Sequence, residues 1–425
     1  MAKGLLLCLL LGLVASDTDG PFNILGQTGY AGEIDVNTTT GSSLFYWLFQ
    51  SLTGNLETDT RPLLIWLPGG SGGSVSVDLL AERISPLYID DSGSPHFNNM
   101  TWALKMHIMG VDFPYGVGYS SPTYWTDWIT DVPTGAQVFI DFLDKLQTKY
   151  PAWFKRDIYI GGQDLAGLFI PAIANLIHKN NRNLTPGHSG YVNLKGLILG
   201  DTWVNALQIV NTYDTFAYNQ GLANLAQRNV ITNYENCVLG NATNDPHLAF
   251  VSLQNLLAYV DTIAGPLNFI NYRLYNDDNI GNLATFLNNP TYKQELNVAK
   301  TVTWSQVTQS VSTNLTYLYF DSQAAVLSTV LSYYKVLIFS SQDNFLINPI
   351  AVQQEINSLG WEGITDFKSA RRSAYSVSGN IAGYVQTSSN LTFVQILNTG
   401  LIVGLTQATN PRDMIYRFVF NQGWN

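Results

Sequence analysis

The sequence predicts an α/β protein: a central, mostly parallel sheet flanked by helices, with an inserted cap region. Three observations predict it. Short apolar runs rich in strand-forming residues alternate with helical patterns. Several of those runs end in Gly, Pro or Ser turns, the edge at which α/β sheets place their sites. Between about residues 206 and 322 the pattern changes to amphipathic stretches separated by polar, Asn-rich turns, with no comparable strand series.

At the N-terminus, Met1-Ala2-Lys3 precedes an apolar run from Gly4 to Val14, and Val14-Ala15-Ser16 suits cleavage after Ser16. This is the pattern of a secretory signal peptide, and the run is too short to span a bilayer. A mature chain of residues 17–425 is expected, folded as one domain, with the cap at about 206–322. No later run is long and apolar enough to span a membrane, and Phe420 to Asn425 is neither a retention tail nor a lipid-anchor signal.

The strands expected along the chain are Leu63–Leu67, Ile108–Asp112, Asp157–Ile160, Leu194–Leu199, Val336–Phe339 and Leu391–Ile396. Thr134–Leu143 has helical period and lies just before the third of them. Gly162-Gln163-Asp164-Leu165-Ala166-Gly167 then follows that strand and opens an apolar helix. Small residues on both sides of a reactive side chain, at a sharp strand-to-helix turn, are the layout of a nucleophile elbow. The reactive position holds Asp164, where serine chemistry needs a hydroxyl.

Composition bounds the rest. Hydrophobic residues make up 46% of the chain and charged residues 12%, so a large core is easily built. The formal charge is −10, and loss of Lys3 with the signal would make it −10 − 1 = −11. That balance argues against nucleic acid, whose binders need a basic footprint. Six Asn-x-Ser/Thr sequons, at Asn37, Asn99, Asn183, Asn241, Asn314 and Asn390, agree with export. Cys8 leaves with the signal, so Cys237 remains alone and no intramolecular disulfide can form. A lone thiol in an exported chain raises intermolecular pairing, with a buried or unreactive thiol as the expected reading.

Other features point to no chemistry. His96, His107, His178, His188 and His247 lack the close spacing of a zinc site. No Gly-Lys-Ser/Thr follows Gly69, Gly70, Gly72 and Gly73, so they form no phosphate loop. Asp90-Asp91 and Asp277-Asp278 read as solvated turns. Neither a metal nor a cofactor is expected.

The ordered motifs resemble the serine carboxypeptidase family. Gly29-Tyr30-Ala31-Gly32 and Leu44-Phe45-Tyr46-Trp47 are similar to its opening strands. Trp66-Leu67-Pro68-Gly69-Gly70-Ser71-Gly72 resembles its Trp-Leu-Asn-Gly-Gly-Pro-Gly. Asp112 to Ser120 resembles its Asp-x-Pro-x-Gly-x-Gly-(Phe/Tyr)-Ser. Gly162 to Gly167 stands for Gly-Glu-Ser-Tyr-Ala-Gly, with Ile170-Pro171 continuing the helix, and Asn193 to Gly200 resembles the next strand. The resemblance implies an α/β-hydrolase fold with a cap, and some relatives of this kind are homodimers.

The same resemblance implies where the chemistry is lost. The family's serine falls on Asp164. Its acid falls on Asn344 in Ser341-Gln342-Asp343-Asn344-Phe345-Leu346-Ile347-Asn348, with Asp343 one residue away and Asn348 anchoring the frame. Its histidine falls on Leu401, and no histidine follows His247. The Asn and Glu that grip a peptide's C-terminal carboxylate become Pro68, which has no donor, and Gln163, which keeps one. A further family Glu becomes Gln50. The oxyanion donors implied are the backbone N–H groups of Gly70 and Leu165.

A serine attacks only when a histidine takes its proton, and the acid fixes that histidine's tautomer. Leu401 can do neither. The expected function is therefore a secretory-pathway, carboxypeptidase-like pseudoenzyme, extracellular or in a lysosome- or vacuole-like lumen, retained to bind a protein or peptide ligand or to serve a structural role. Two alternatives keep catalysis: a hydrolase with Asp164 as nucleophile, or residual carboxypeptidase activity. Asp164 itself is expected to occupy the oxyanion hole, where helix N-terminal donors favour anions.

Overall fold

The computed structural model describes residues 17–274 and 280–424. The expected signal peptide, with Lys3 and Cys8, lies outside the described residues, as do Asp277 and Asp278.

Three strands open the chain: β1 (Gly20–Ile24), β2 (Gln27–Asn37) and β3 (Ser42–Phe49). Next come β4 (Leu63–Leu67), helix α1 (Val75–Ala81), a small hairpin of β5 (Leu87–Ile89) and β6 (Pro95–Phe97), and β7 (His107–Val111). Helix α2 (Val132–Lys149), β8 (Ile158–Asp164), α3 (Ala166–Asn181) and β9 (Leu194–Thr202) follow in alternation. A helical stretch then carries α4 (Ala206–Val210), α5 (Tyr213–Asn219), α6 (Leu225–Asn241), α7 (Pro246–Ala264), α8 (Leu283–Leu287), α9 (Pro290–Glu295), α10 (Gln309–Leu315) and α11 (Ala324–Val330). The chain returns to the sheet with β10 (Lys335–Ser341), then α12 (Pro349–Ser358), α13 (Ile364–Ser369), β11 (Ser373–Val377), β12 (Asn380–Ser388), β13 (Leu391–Ile396), α14 (Val403–Gln407) and α15 (Thr409–Val419).

Eleven strands form one sheet in the order β1-β2-β3-β7-β4-β8-β9-β10-β13-β12-β11. The six from β7 to β13 run parallel. The two wings, β1 to β3 and β12 with β11, are antiparallel. The parallel centre was legible because strands buried on both faces read as unbroken apolar runs. In β4, Leu63, Ile65 and Leu67 face one core, while Leu64 and Trp66 face the other, the two-residue alternation of any strand. Helices α2 and α3 cover the first face. Helix α1 and α15 cover the second.

Boundaries moved where tertiary pairing extends an element. β8 runs on from Ile160 to Asp164 because β9 continues to pair with it, Gln163 opposite Gly200 and Asp164 opposite Thr202. α2 begins earlier than its apolar period, since Asp131 caps it by accepting from Thr134 N at 2.7 Å, and it runs on to Lys149. Helix continues beyond residue 322 into α11, so the helical stretch ends later than expected. Cys237, on α6, is exposed, so of the expected buried or unreactive thiol the buried alternative does not hold.

Candidate functional site

β8 lies between β4 and β9 in the sheet, so its C-terminal end meets the turn after β4 and the end of β9. The chain turns there from strand to helix within one residue. Asp164 takes a φ of +51°, a left-handed conformation that is strained for a side chain of this size. The turn closes only because its neighbours are small. A Cβ on Gly162 would lie 2.6 Å from Ala166 Cβ and from Leu67 O, and one on Gly167 would lie 2.2 Å from Thr202 Oγ1. The geometry is that of the predicted elbow.

Asp164 points its carboxylate at the turn after β4. Its Oδ2 accepts from Gly70 N at 2.9 Å, and the backbone N–H of Leu165 also donates to the group. Gly70 presents its N–H there at a φ of +71°, which glycine adopts without cost. The two N–H groups expected to bind an oxyanion are thus bonded to the chain's own carboxylate. Asp164 is half-buried as a residue, yet burial of its carboxyl, aided by the nearby Asp201 charge, pushes its pKa up to about 7 against the pull of the two N–H donors.

Asn344 is fully buried. Its Oδ1 accepts from Ile347 N at 3.2 Å, so it braces its own turn. Its side chain lies against Asp201 and favours that carboxyl's charged form, although neither Asn344 Nδ2 nor Asp201 Oδ2 has a well-formed bond among the described residues. Asp343 faces another way and pairs with Arg273 at 3.4 Å. The frame anchored on Asn348 is thereby explained: Asn348 caps α12, accepting from Ile350 N and Ala351 N, and donates to Thr212 Oγ1 at 2.9 Å.

Leu401 is tied to the site by its backbone alone. Its N–H donates to Ile270 O at 2.8 Å, and its carbonyl accepts from Gln163 Nε2 at 3.0 Å. None of the five histidines stands in for it. His96 pairs with Asp90, His107 with Asp59, His178 stacks on Tyr333, His188 bonds Ser189 O, and His247 is exposed.

Gln163 is not available to a ligand as expected. It is buried, and its amide donates to Glu82 Oε1 at 2.7 Å as well as to Leu401 O. Pro68 is buried too. Gln50 is spent on local structure, donating to Thr28 Oγ1 at 2.5 Å.

The sequence reading missed a ring of acids around the elbow. Asp78 accepts from Trp66 Nε1 at 3.0 Å, and burial pushes its pKa up to about 7. Glu82, one helical turn on, is held well above the ordinary glutamate range by burial and by Asp78. Asp112 accepts from Ser74 Oγ and Val75 N at 2.8 Å and from Tyr119 N at 2.9 Å, and burial raises it to about 6. Asp201 accepts from Ser341 N at 2.7 Å and is likewise raised to about 6 by burial. No lysine, arginine or histidine among the described residues bonds any of these or Asp164. The available signal was Asp78 inside the apolar run Val75 to Ala81 and Glu82 at its end, i and i+4, where water-facing acids do not belong.

On the cap side, the phenols of Tyr213 and Tyr319 are raised by burial and, beyond that, by the Asp164 charge. Among the described residues no group of acids, histidines and cysteines is arranged to hold a metal, and no helix is long and apolar enough to cross a membrane.

Comparisons with known proteins agree with this architecture. A family model described as serine carboxypeptidase matches residues 20–421. The probable serine carboxypeptidase CPVL of Mus musculus is 27% identical over 420 residues, covering 95% of this chain and 85% of its own. The pheromone-processing carboxypeptidase kex1 of Aspergillus fumigatus is 28% identical over 417 residues, covering 92% of this chain and 65% of its own. In three dimensions, the prohormone-processing carboxypeptidase Kex1(delta)p of Saccharomyces cerevisiae superposes with a TM-score of 0.82 at 23% identity, covering 93% of this chain and 92% of its own. The fold is that of the α/β hydrolases, and the chain belongs to the serine carboxypeptidase family.

Proposed function

We propose that this is a secretory-pathway member of the family that has lost hydrolysis and is retained as a folded scaffold for a protein or peptide ligand or for a structural role. One observation carries the reading. The carboxylate of Asp164 sits on the N–H groups of Gly70 and Leu165, the place where a developing oxyanion would have to bind. With that cradle filled by the chain and an aliphatic side chain at Leu401, neither charge stabilisation nor proton transfer remains.

The wider site supports the same conclusion. Gln163, Asn344 and Leu401 each make internal contacts in place of catalytic ones. An Asp164 nucleophile would need a base to activate water against the resulting ester, and no histidine lies at the site.

The test is turnover of a blocked dipeptide panel and a small ester by glycosylated mature protein from pH 4 to 8. It is run beside an Asp164→Ser/Asn344→Asp/Leu401→His triple mutant. A silent wild type beside a turning-over triple mutant is the expected result. Wild-type turnover abolished by Asp164→Ala would sink the proposal and make Asp164 a nucleophile.

A further inference from the structure

A cleft of about 400 Å³ that does not include the elbow residues opens between α5 and α12, walled by Phe216 and Asn219 on one side and by Ile350, Gln353 and Gln354 on the other. Gln342, Gln395 and Arg372 complete its lining. Among the described residues no carboxylate lines it, in a chain of formal charge −10.

Among the described residues the charge of Arg372 has no counter-ion. Its Nε donates to Gln386 Oε1 at 3.2 Å, and its Nη2 donates to Gln386 Oε1 at 3.0 Å and to Gln353 Oε1. These acceptors are themselves fixed: Gln386 Nε2 donates to Phe367 O at 2.6 Å, and Gln353 Nε2 to Asn357 Oδ1 at 3.4 Å. The guanidinium also lies over the Phe393 ring at 5.0 Å. Neutral amides therefore hold the fork in place without neutralising it. Nη1 has no partner among the described residues. Desolvation lowers the pKa of Arg372 and no neighbouring acid offsets that. The two acids adjacent in sequence to the lining are engaged elsewhere: Asp343 pairs with Arg273, and Glu355 accepts from Asn205 N.

Carboxamides supply further donors in the lining, and Gln220 Oε1 is taken by Tyr272 OH at 2.9 Å. The side-chain amides of Asn219, Gln354 and Gln395 make no hydrogen bond among the described residues, and Gln342 uses only its Oε1, accepting from Asn398 N at 2.9 Å. Pro349 and Ile350 form the first turn of α12, whose positive end faces the same space. Asn348 already caps Ile350 N and Ala351 N, so the helix contributes field here and the donors are the side chains.

We propose that this cleft is a carboxylate-binding site, with Arg372 as its charged anchor and the carboxamides of Gln342, Gln354 and Gln395 orienting the anion. The Nη1 of the guanidinium is left to donate to a carboxylate, and charge-assisted bonds of this kind are about twice as strong as neutral ones. The volume is near the low end of ligand pockets, which suits a small organic acid or one acidic side chain of a peptide. The site is independent of the fate of the triad, so its test stands apart from hydrolysis.

Titration calorimetry with glutarate, with its neutral counterpart glutaramide and with an acetyl-Gly-Glu-Gly-amide peptide reads the binding. Glutarate is expected to bind saturably and more weakly as salt is raised, and glutaramide to bind at least about tenfold more weakly, the loss of one charge-assisted bond. Arg372→Gln is expected to lower glutarate affinity by a similar factor, with Arg372→Lys in between. Peptide binding as tight as glutarate would identify an acidic side chain as the occupant, and weaker peptide binding a free acid. Should Arg372→Gln fail to fold, side-chain amide NMR of the wild type decides: glutarate must shift the Gln354 and Gln395 signals. Equal binding of glutarate and glutaramide, an unchanged Arg372→Gln, or unmoved glutamine signals would overturn the assignment.

Discussion

Asp164→Asn separates the charge of the elbow carboxylate from its shape. The amide oxygen can still accept from Gly70 N, whereas the titrating proton is gone. In the wild type the group keeps its proton until about pH 7, against 3.8 for an ordinary aspartate. Below about pH 4 it is neutral in folded and unfolded chain alike. Between pH 4 and 7 the unfolded chain ionises it and the folded chain does not, so stability falls as pH rises and the loss is complete above pH 7. A rise from 3.8 to about 7 is about three pH units, which at about 1.36 kcal/mol each amounts to about 4 kcal/mol. The neighbouring Asp201 contributes to that rise, so the two do not add independently and about 2–4 kcal/mol is the range to expect. Urea unfolding at pH 4.5 and 8.0 measures it. Asp164→Asn should gain about that much on wild type between the two pH values. Asp164→Ala should lose about 1–3 kcal/mol at pH 4.5, because it leaves Gly70 and Leu165 N–H groups without their acceptor. Parallel losses in wild type and Asp164→Asn would refute the buried-carboxylate reasoning.

Three further outcomes are expected. Glu355 is buried, accepts from Asn205 N at 2.7 Å and from Val204 N, and is held well above the ordinary range by burial. Glu355→Gln keeps the acceptor and should therefore stabilise the chain more at pH 8 than at pH 5, as read by the shift in denaturation midpoint. A Cβ on Gly404 would sit 1.7 Å from Glu82 O, so Gly404→Ala must displace backbone and should cost about 1–3 kcal/mol or more, seen as a lowered Tm. Asn99 and Asn183 are exposed, while Asn390 is half-buried with its Nδ2 donating to Leu331 O at 2.9 Å. Glycopeptide mapping of exported protein should find the first two occupied more fully than Asn390.

The sequence by itself determined the fold class, the parallel centre of the sheet and the elbow. Each is written in local signals: apolar runs such as Leu63 to Leu67 for strands buried on both faces, and small residues at Gly162, Ala166 and Gly167 where strand and helix nearly touch. The reading of the family's catalytic positions onto Asp164, Asn344 and Leu401 rests on the order and spacing of the motifs around them. Only the tertiary structure decided what those residues do. Asp164 reaches Gly70, 94 positions earlier, and Gln163 turns its amide to Glu82 and to Leu401, 81 and 238 positions away. The gathering of the acids into a ring is likewise a tertiary fact, since beyond the Asp78–Glu82 helix Asp112, Asp164 and Asp201 come from separate segments. A hydrogen bond or a raised pKa depends on distance and burial, and for residues this far apart in the chain both are set only when the sheet brings its strand ends together.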